Sequence, residues 1–141
     1  MATINTYLNF NGNTEDVFNF YRSVFGGEFA MLQRLKDAPQ ADKLSENDKE
    51  KILHIALPIG GNVLMGTDVL DTMHQVKFGT NSSICIHTES EDEARKFFDG
   101  LSAGGNVGMP LEKMFWGALF GMFTDKFGVQ WMVSFDTQNQ H

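Results

Sequence analysis

Residues 3–27 read TINTYLNFNGNTEDVFNFYRSVFGG, and the reading of this stretch decides the fold. Thr3 to Phe10 is rich in β-formers, with apolar residues at Ile4, Leu8 and Phe10, which predicts a strand. Asn11-Gly12 is a turn signal. Asn13 or Thr14 then supplies a helix cap, and Val17, Phe18, Phe20, Tyr21, Val24 and Phe25 follow at helical spacing. Gly26-Gly27 stops the helix, because glycine takes the left-handed C′ conformation cheaply.

Working outward, Glu28 to Leu35 reads as a second strand, and Lys36 to Lys51 as a polar loop with a short helix after Ser45. Ile52 to Ile59 and Asn62 to Asp68 are strands joined through Gly60-Gly61, a two-residue hairpin signal. The pattern then restarts. Ser82 to Thr88 is a strand, Ser90 with Glu93 makes a capping box, and Ala94, Phe97, Phe98 and Leu101 fall at helical spacing before Gly104-Gly105. Val107 to Leu111, Trp116 to Thr124 and Val129 to Phe135 complete the strands, the last two joined by Asp125-Lys126-Phe127-Gly128. A shift of 78 residues lays Glu15 on Glu93, Phe20 on Phe98, Gly26-Gly27 on Gly104-Gly105 and Met31 on Met109. The expected architecture is α+β: two βαβββ modules, about 1–72 and about 80–141, forming a curled mixed sheet around a central cavity in a single domain over 1–141.

Composition narrows the function. A chain of 141 residues suits one domain that needs neither disulfide nor metal to hold its core. The formal charge is −7 and the eleven Lys and Arg are scattered, which argues against nucleic acid and anionic membrane as partners. The longest mostly apolar stretch, Met114 to Thr124, is too short to span a bilayer, and its Gly117 and Gly121 read as strand glycines rather than a helix-pairing motif. With no basic-then-apolar N-terminal segment and a lone Cys85, the expected location is cytoplasmic. Thirteen Phe and eight Met are an unusual number; many fill the core, and a surplus would suit an adaptable apolar pocket.

Strand alternation sorts the side chains onto two faces. Ile4, Leu8 and Phe10 are expected beneath the first helix, leaving Asn5, Tyr7 and Asn9 opposite. The glycine turn pairs Ala56 with Met65 and His54 with Thr67. Leu53, Ile55, Leu57 and Ile59 then face the helix, and His54, Ala56, Met65 and Thr67 face away. In the second module Ser83, Cys85 and His87 lie opposite Ile84 and Ile86, and Met132 lies opposite Trp131 and Val133. Phe115, Leu119 and Phe123 are assigned to the same outer face by parity. The expected ligand-binding set is Asn5, Tyr7, His54, Met65, Thr67, Ser83, Cys85, Phe115, Phe123 and Met132. The plain alternative for that face is a solvent-facing or dimer-facing surface.

Certain stretches carry a resemblance: Tyr7-Leu8-Asn9-Phe10-Asn11-Gly12, Phe20 to Gly27, His54-Ile55-Ala56-Leu57, Leu64-Met65-Gly66-Thr67-Asp68, and Asp125 to Trp131. Across nearly its whole length the chain resembles the PhnB-like branch of the vicinal oxygen chelate superfamily. That superfamily includes glyoxalase I, extradiol dioxygenases, fosfomycin-modifying transferases and bleomycin-resistance proteins. The resemblance implies a homodimer, and a divalent metal held by one side chain from the first and last strand of each module. Carried over, those positions are Asn5, Met65, Ser83 and Met132. None is His, Glu or Asp, the ligands that hard and borderline divalent cations want, so no metal and no cofactor is expected there. Branch members are also labelled after a demethylubiquinone methyltransferase, but no methyl-donor loop supports that label here.

The chemistry left centres on His54, a candidate general base or one arm of a displaced, non-standard divalent-metal site, set against a hydrogen-bonded structural histidine. Tyr7 could bond a polar ligand atom. Asp68 reads as a turn or cap residue, Cys85 as an inert strand thiol, and His74 and His141 carry no assigned role. Beside a structural or partner-binding module whose outer face is a dimer interface, two functions follow as expectations. One is a protein that binds an apolar or aromatic small molecule. The other is an enzyme with a rearranged centre using His54 on a small carbonyl or phosphonate compound. The 36–51 loop is the candidate lid.

Overall fold

The computed structural model describes residues 2–136, so His141 lies outside the described residues. The chain divides into two compact units, Met1–Lys77 and Phe78–His141. Both are α+β, and each carries a four-stranded mixed sheet.

In the first unit the elements are β1 (Thr6–Phe10), α1 (Thr14–Phe25), β2 (Met31–Arg34), the short α2 (Glu46–Lys49), β3 (Ile52–Ile59) and β4 (Asn62–Asp68). The strand order is β1-β4-β3-β2, with β1 parallel to β4 and the other pairs antiparallel. The β3–β4 hairpin has the bounds that its sequence predicts, and Ala56 pairs with Met65 across the Gly60-Gly61 turn. Gly60 has φ of 58°, the left-handed conformation that such a turn requires.

The amphipathic helix α1 buries Val17, Phe18 and Tyr21 against Phe10, Ile55, Leu57 and Leu64 of the sheet. Phe18 sits so close that a Cβ on Gly66 would lie 2.7 Å from its ring, so any larger residue at that point of the central strand would force the ring to shift. Ile4 departs from expectation. It precedes β1 and is 93% exposed, because the strand starts only at Thr6, where pairing with Leu64 begins.

The helix start also differs from its reading. Asn13 stands at the N-cap position of α1 but makes no side-chain cap bond. The buried carboxylate of Asp68, at the end of β4, does the capping instead. Its Oδ1 accepts from the Gly12 amide (3.1 Å), the Thr14 amide (3.0 Å) and the Thr14 hydroxyl (2.5 Å), while Oδ2 accepts from the Ile52 amide (2.8 Å). Asp68 is therefore a cap, and it ties the start of α1, the start of β3 and the end of β4 together.

The loop before β3 is folded and pinned. Ser45 caps α2 by accepting from the Asp48 amide (3.1 Å), and the buried Lys51 ammonium bonds Asp48 (2.8 Å), Asp71 (2.8 Å) and the Val69 carbonyl (3.2 Å). Burial alone would lower the Lys51 ammonium, but the bonds to Asp48 and Asp71 outweigh it and hold the group above its ordinary value.

The second unit runs β5 (Ile84–His87), α3 (Glu91–Ser102), β6 (Asn106–Lys113), β7 (Ala118–Thr124) and β8 (Gln130–Asp136). Its strand order is β5-β8-β7-β6, again with the first pair parallel. Half of the predicted capping box forms: Ser90 Oγ accepts from the Glu93 amide (3.1 Å), whereas Glu93 Oε1 reaches one residue past the cap and accepts from the Glu89 amide (3.2 Å). Ala94, Phe98 and Leu101 of α3 are buried, as are Leu119, Phe123, Trp131 and Val133 of the sheet. Asp125 locks the β7–β8 turn, taking the Phe127 and Val129 amides on Oδ1 (2.9 and 3.0 Å) and the Trp131 indole N–H on Oδ2 (2.8 Å).

Candidate functional site

Side-chain parity around Gly66 fixes the two faces of the first sheet. Leu64, Gly66 and Asp68 look toward α1, so Met65 and Thr67 look away. Register then lays out rows on the outer face. Tyr7, Met65, Ala56 and Met31 pair in sequence across β1, β4, β3 and β2. In the next row, Asn9 pairs with Thr67 and His54 with Gln33. Here the outer-face reading of Tyr7, His54, Met65 and Thr67 agrees with the strand register.

Across β4, the Tyr7 hydroxyl and His54 Nδ1 share a hydrogen bond of 3.1 Å, with the ring centroids 5.7 Å apart. In the tautomer with the proton on Nε2, the phenol donates to Nδ1 and Nε2–H is left free to donate outward. Tyr7 is 44% exposed, and Met65 and His54 are half-buried, so the pair is open to solvent over a partly apolar floor. The Thr67 hydroxyl is less available, because its proton goes to the Leu53 carbonyl (2.8 Å). Asn5 lies just ahead of β1, and its Oδ1 already accepts from the Val63 amide (3.2 Å).

Leu53, read as helix-facing, is instead 37% exposed. The β2–β3 register slips here: Gln33 faces His54 while Arg34 faces Ile52, which leaves Leu53 unpaired in a bulge. The same slip puts Arg34 at the start of β3, where it holds Glu15 of α1 through two bonds (3.0 and 2.7 Å) and the Glu50 carbonyl (3.1 Å). The Arg34 guanidinium holds the Glu15 carboxyl below its usual range.

In the second unit, Cys85 pairs with Met132 and His87 with Ser134. Cys85 Sγ lies 3.6 Å from His87 Nε2, and both residues are exposed. Partial burial pushes the thiol up, which makes it a poor free nucleophile. Ser83 is exposed immediately before β5. Two assignments need correction. Phe123 is 3% exposed and packs edge-on against Phe98 of α3, with centroids 5.0 Å apart, so it belongs to the core together with Leu119. Phe120 and Met122 share the outer face instead. Phe115 lies outside β7, in the β6–β7 turn, 96% exposed and edge-on to Trp116 at 5.0 Å.

A family model described as the Glyoxalase/Bleomycin resistance protein/Dioxygenase superfamily matches residues 3–133. The chain belongs to that superfamily. Protein YjdN of Escherichia coli strain K12 is 28% identical over 139 residues, covering 93% of each chain. The crystal structure of protein PA1353 from Pseudomonas aeruginosa superposes with a TM-score of 0.85 at 37% identity, over 96% of this chain and 98% of that one. A Bacillus cereus structure described as a putative 3-demethylubiquinone-9 3-methyltransferase, PhnB protein, gives a TM-score of 0.76 at 27% identity, over 95% and 99%. These relatives place the chain in the PhnB-like branch.

At the four positions that the resemblance implies for metal ligands, this chain carries Asn5, Met65, Ser83 and Met132, and none is a His, Asp or Glu. Of these, two are thioethers, and the Asn5 oxygen is already engaged by a backbone amide. Among the described residues, no three His, Cys, Asp or Glu side chains gather where a metal ion could be held. Among the same residues, no helix is long and apolar enough to cross a membrane.

Proposed function

We propose that this PhnB-like protein binds a small apolar or aromatic molecule on the outer face of the first unit's sheet, and that Tyr7 and His54 read its polar group. The Tyr7–His54 hydrogen bond of 3.1 Å carries this reading. It fixes two side chains on different strands into one polar anchor, flanked by Met31, Met65 and Ala56. Binding sites of this kind join an adaptable apolar floor to a few placed polar groups.

The test is a screen of aromatic acids, phenols and phosphonates by thermal shift, followed by titration calorimetry. Bound compounds should lose about tenfold in affinity, roughly one hydrogen bond to an ionisable partner, in Tyr7→Phe or His54→Ala. Binding that is indifferent to both substitutions would sink the reading. Mass spectrometry of the eluted compound separates binding from catalysis. A compound recovered intact supports the binder. Conversion that disappears in His54→Ala would instead favour an enzyme in which His54 moves a proton and Tyr7 holds its tautomer.

A further inference from the structure

On its outer face, the second unit's sheet carries a row of sulfur. Cys85 pairs with Met132, Met132 with Met122, and Met122 with Met109, one residue from each of the four strands. The opposite face is filled by Trp131, Val133, Leu119 and Phe123. His87, two residues along from Cys85 and so on the same face, brings Nε2 to 3.6 Å from Cys85 Sγ.

That separation would also suit the bite of a metal ion. A sulfur at about 2.3 Å and an imidazole nitrogen at about 2.0 Å from one ion, at a trigonal to tetrahedral angle, stand about 3.6 Å apart. An S–H···N hydrogen bond would also fill the distance, but the next donor along the row argues for more. Directly paired strand residues have Cβ atoms about 4.5–5.5 Å apart, and the unbranched Met132 side chain can swing its sulfur across such a gap. Met132 and Met122 are half-buried rather than sealed, so their thioethers are reachable. Glu112 pairs with Phe120 at the far end of the His87 row, three strands from the histidine, on the order of 14 Å away. The local donors are therefore thiol, imidazole and thioether; thiol and imidazole would also take zinc, magnesium wants oxygen donors, and the thioether tips the set toward copper(I).

We infer that Cys85, His87 and Met132 form a binding site for a soft monovalent cation of the copper(I) class, with Met122 as a second thioether within reach. On ligation the Cys85 thiol releases its proton to solvent, a sulfur–metal bond replaces the S–H bond, and the ion stays monovalent, so no oxidant or reductant is needed. The site lies wholly in the second unit and stands or falls apart from Tyr7 and His54.

The experiment loads the reduced full chain anaerobically with one equivalent of copper(I). It then passes the chain through gel filtration in a large excess of glutathione, which strips copper from an isolated thiol. The wild-type chain should retain its copper. Loss of even an outer-sphere partner costs about 10–100-fold in metal affinity, so removal of a ligand in Met132→Leu or His87→Gln should cost at least about tenfold. That loss is read by competition with a chromophoric copper(I) chelator. Met132→Leu nearly conserves volume and His87 is exposed, so both variants should fold. The inference is overturned if the wild-type chain yields its copper to glutathione, or if either variant holds copper as tightly as the wild type.

Discussion

Asp68→Asn should be the most informative single change in the first unit. The carboxylate serves four donors: three converge on Oδ1, and the Ile52 amide takes Oδ2. Asparagine has one acceptor oxygen and one NH2 group. Turning the oxygen toward Gly12 and Thr14 keeps three bonds and aims NH2 at the Ile52 N–H, donor against donor. Turning it the other way sets NH2 against the Gly12 and Thr14 amides and loses both bonds, with only the Thr14 hydroxyl able to reverse its role, so the first orientation is the cheaper. It leaves the buried Ile52 amide unsatisfied, at about 1–3 kcal/mol, and turns three charge-assisted bonds into weaker neutral ones. The expected loss is about 2–4 kcal/mol, a large share of the roughly 5–15 kcal/mol that holds a domain. Urea unfolding followed by circular dichroism should show the midpoint falling by about 1–2 M at a slope of roughly 2 kcal/mol per M. Asp68→Ala, which removes every acceptor, should cost more. Amide exchange should accelerate first at residues 12, 14 and 52. A cost for Asp68→Asn within about 0.5 kcal/mol, the usual effect of a surface change, would refute the capping argument. Ile52 is two residues from His54, so the same substitution should loosen the Tyr7–His54 pair and weaken any ligand it holds.

Gly66→Ala should destabilise the first unit by about 1–3 kcal/mol, because its methyl meets the buried Phe18 ring and lies 3.3 Å from the Leu8 carbonyl oxygen; thermal unfolding measures it. Gly105→Ala should be worse, since its methyl meets the Thr124 carbonyl and the Asp125 backbone, which cannot turn aside as a ring can. Failure of Gly66→Ala to cost less than Gly105→Ala would contradict this ordering. The Glu15 carboxyl is lowered in the folded chain, so its stabilisation is present above the ordinary carboxylate value and lost as pH falls through the folded one. The pair is partly exposed, so Glu15→Gln should cost about 0.2–1 kcal/mol at neutral pH, and that difference should vanish in acid. An equal difference at both ends of the pH range would place the effect outside the ion pair.

How far the site could be read in advance depended on where each strand had a fixed reference. The β3–β4 hairpin had one in Gly60-Gly61, and counting back from it placed Ala56 opposite Met65. Counting held until the strand bulged at Leu53, a slip imposed by β2 from outside the hairpin. The cap of α1 was hidden for a different reason. Its acceptor comes from Asp68, 54 residues beyond Thr14, and no local pattern distinguishes such an aspartate from a turn residue. The Tyr7–His54 bond spans 47 residues and was visible only as two side chains of like parity.

The error at Phe123 had a signal that could have prevented it. The sequence ALFGMFT of β7 is apolar at both parities, so hydrophobicity cannot choose its face. Glycine can. A Cβ on Gly121 would lie 2.6 Å from the Phe98 ring, just as one on Gly66 would lie 2.7 Å from Phe18. In each sheet, the strand glycine marks where the helix's phenylalanine comes closest, so residues two away share the helix face. Read that way, Gly121 sends Leu119 and Phe123 inward and turns Phe120 and Met122 outward, which adds Met122 to the sulfur row beside Cys85 and Met132. The glycine that left the strand ambiguous to a hydrophobicity count is thus the residue that sets its orientation, and with it the donors the second sheet presents to solvent.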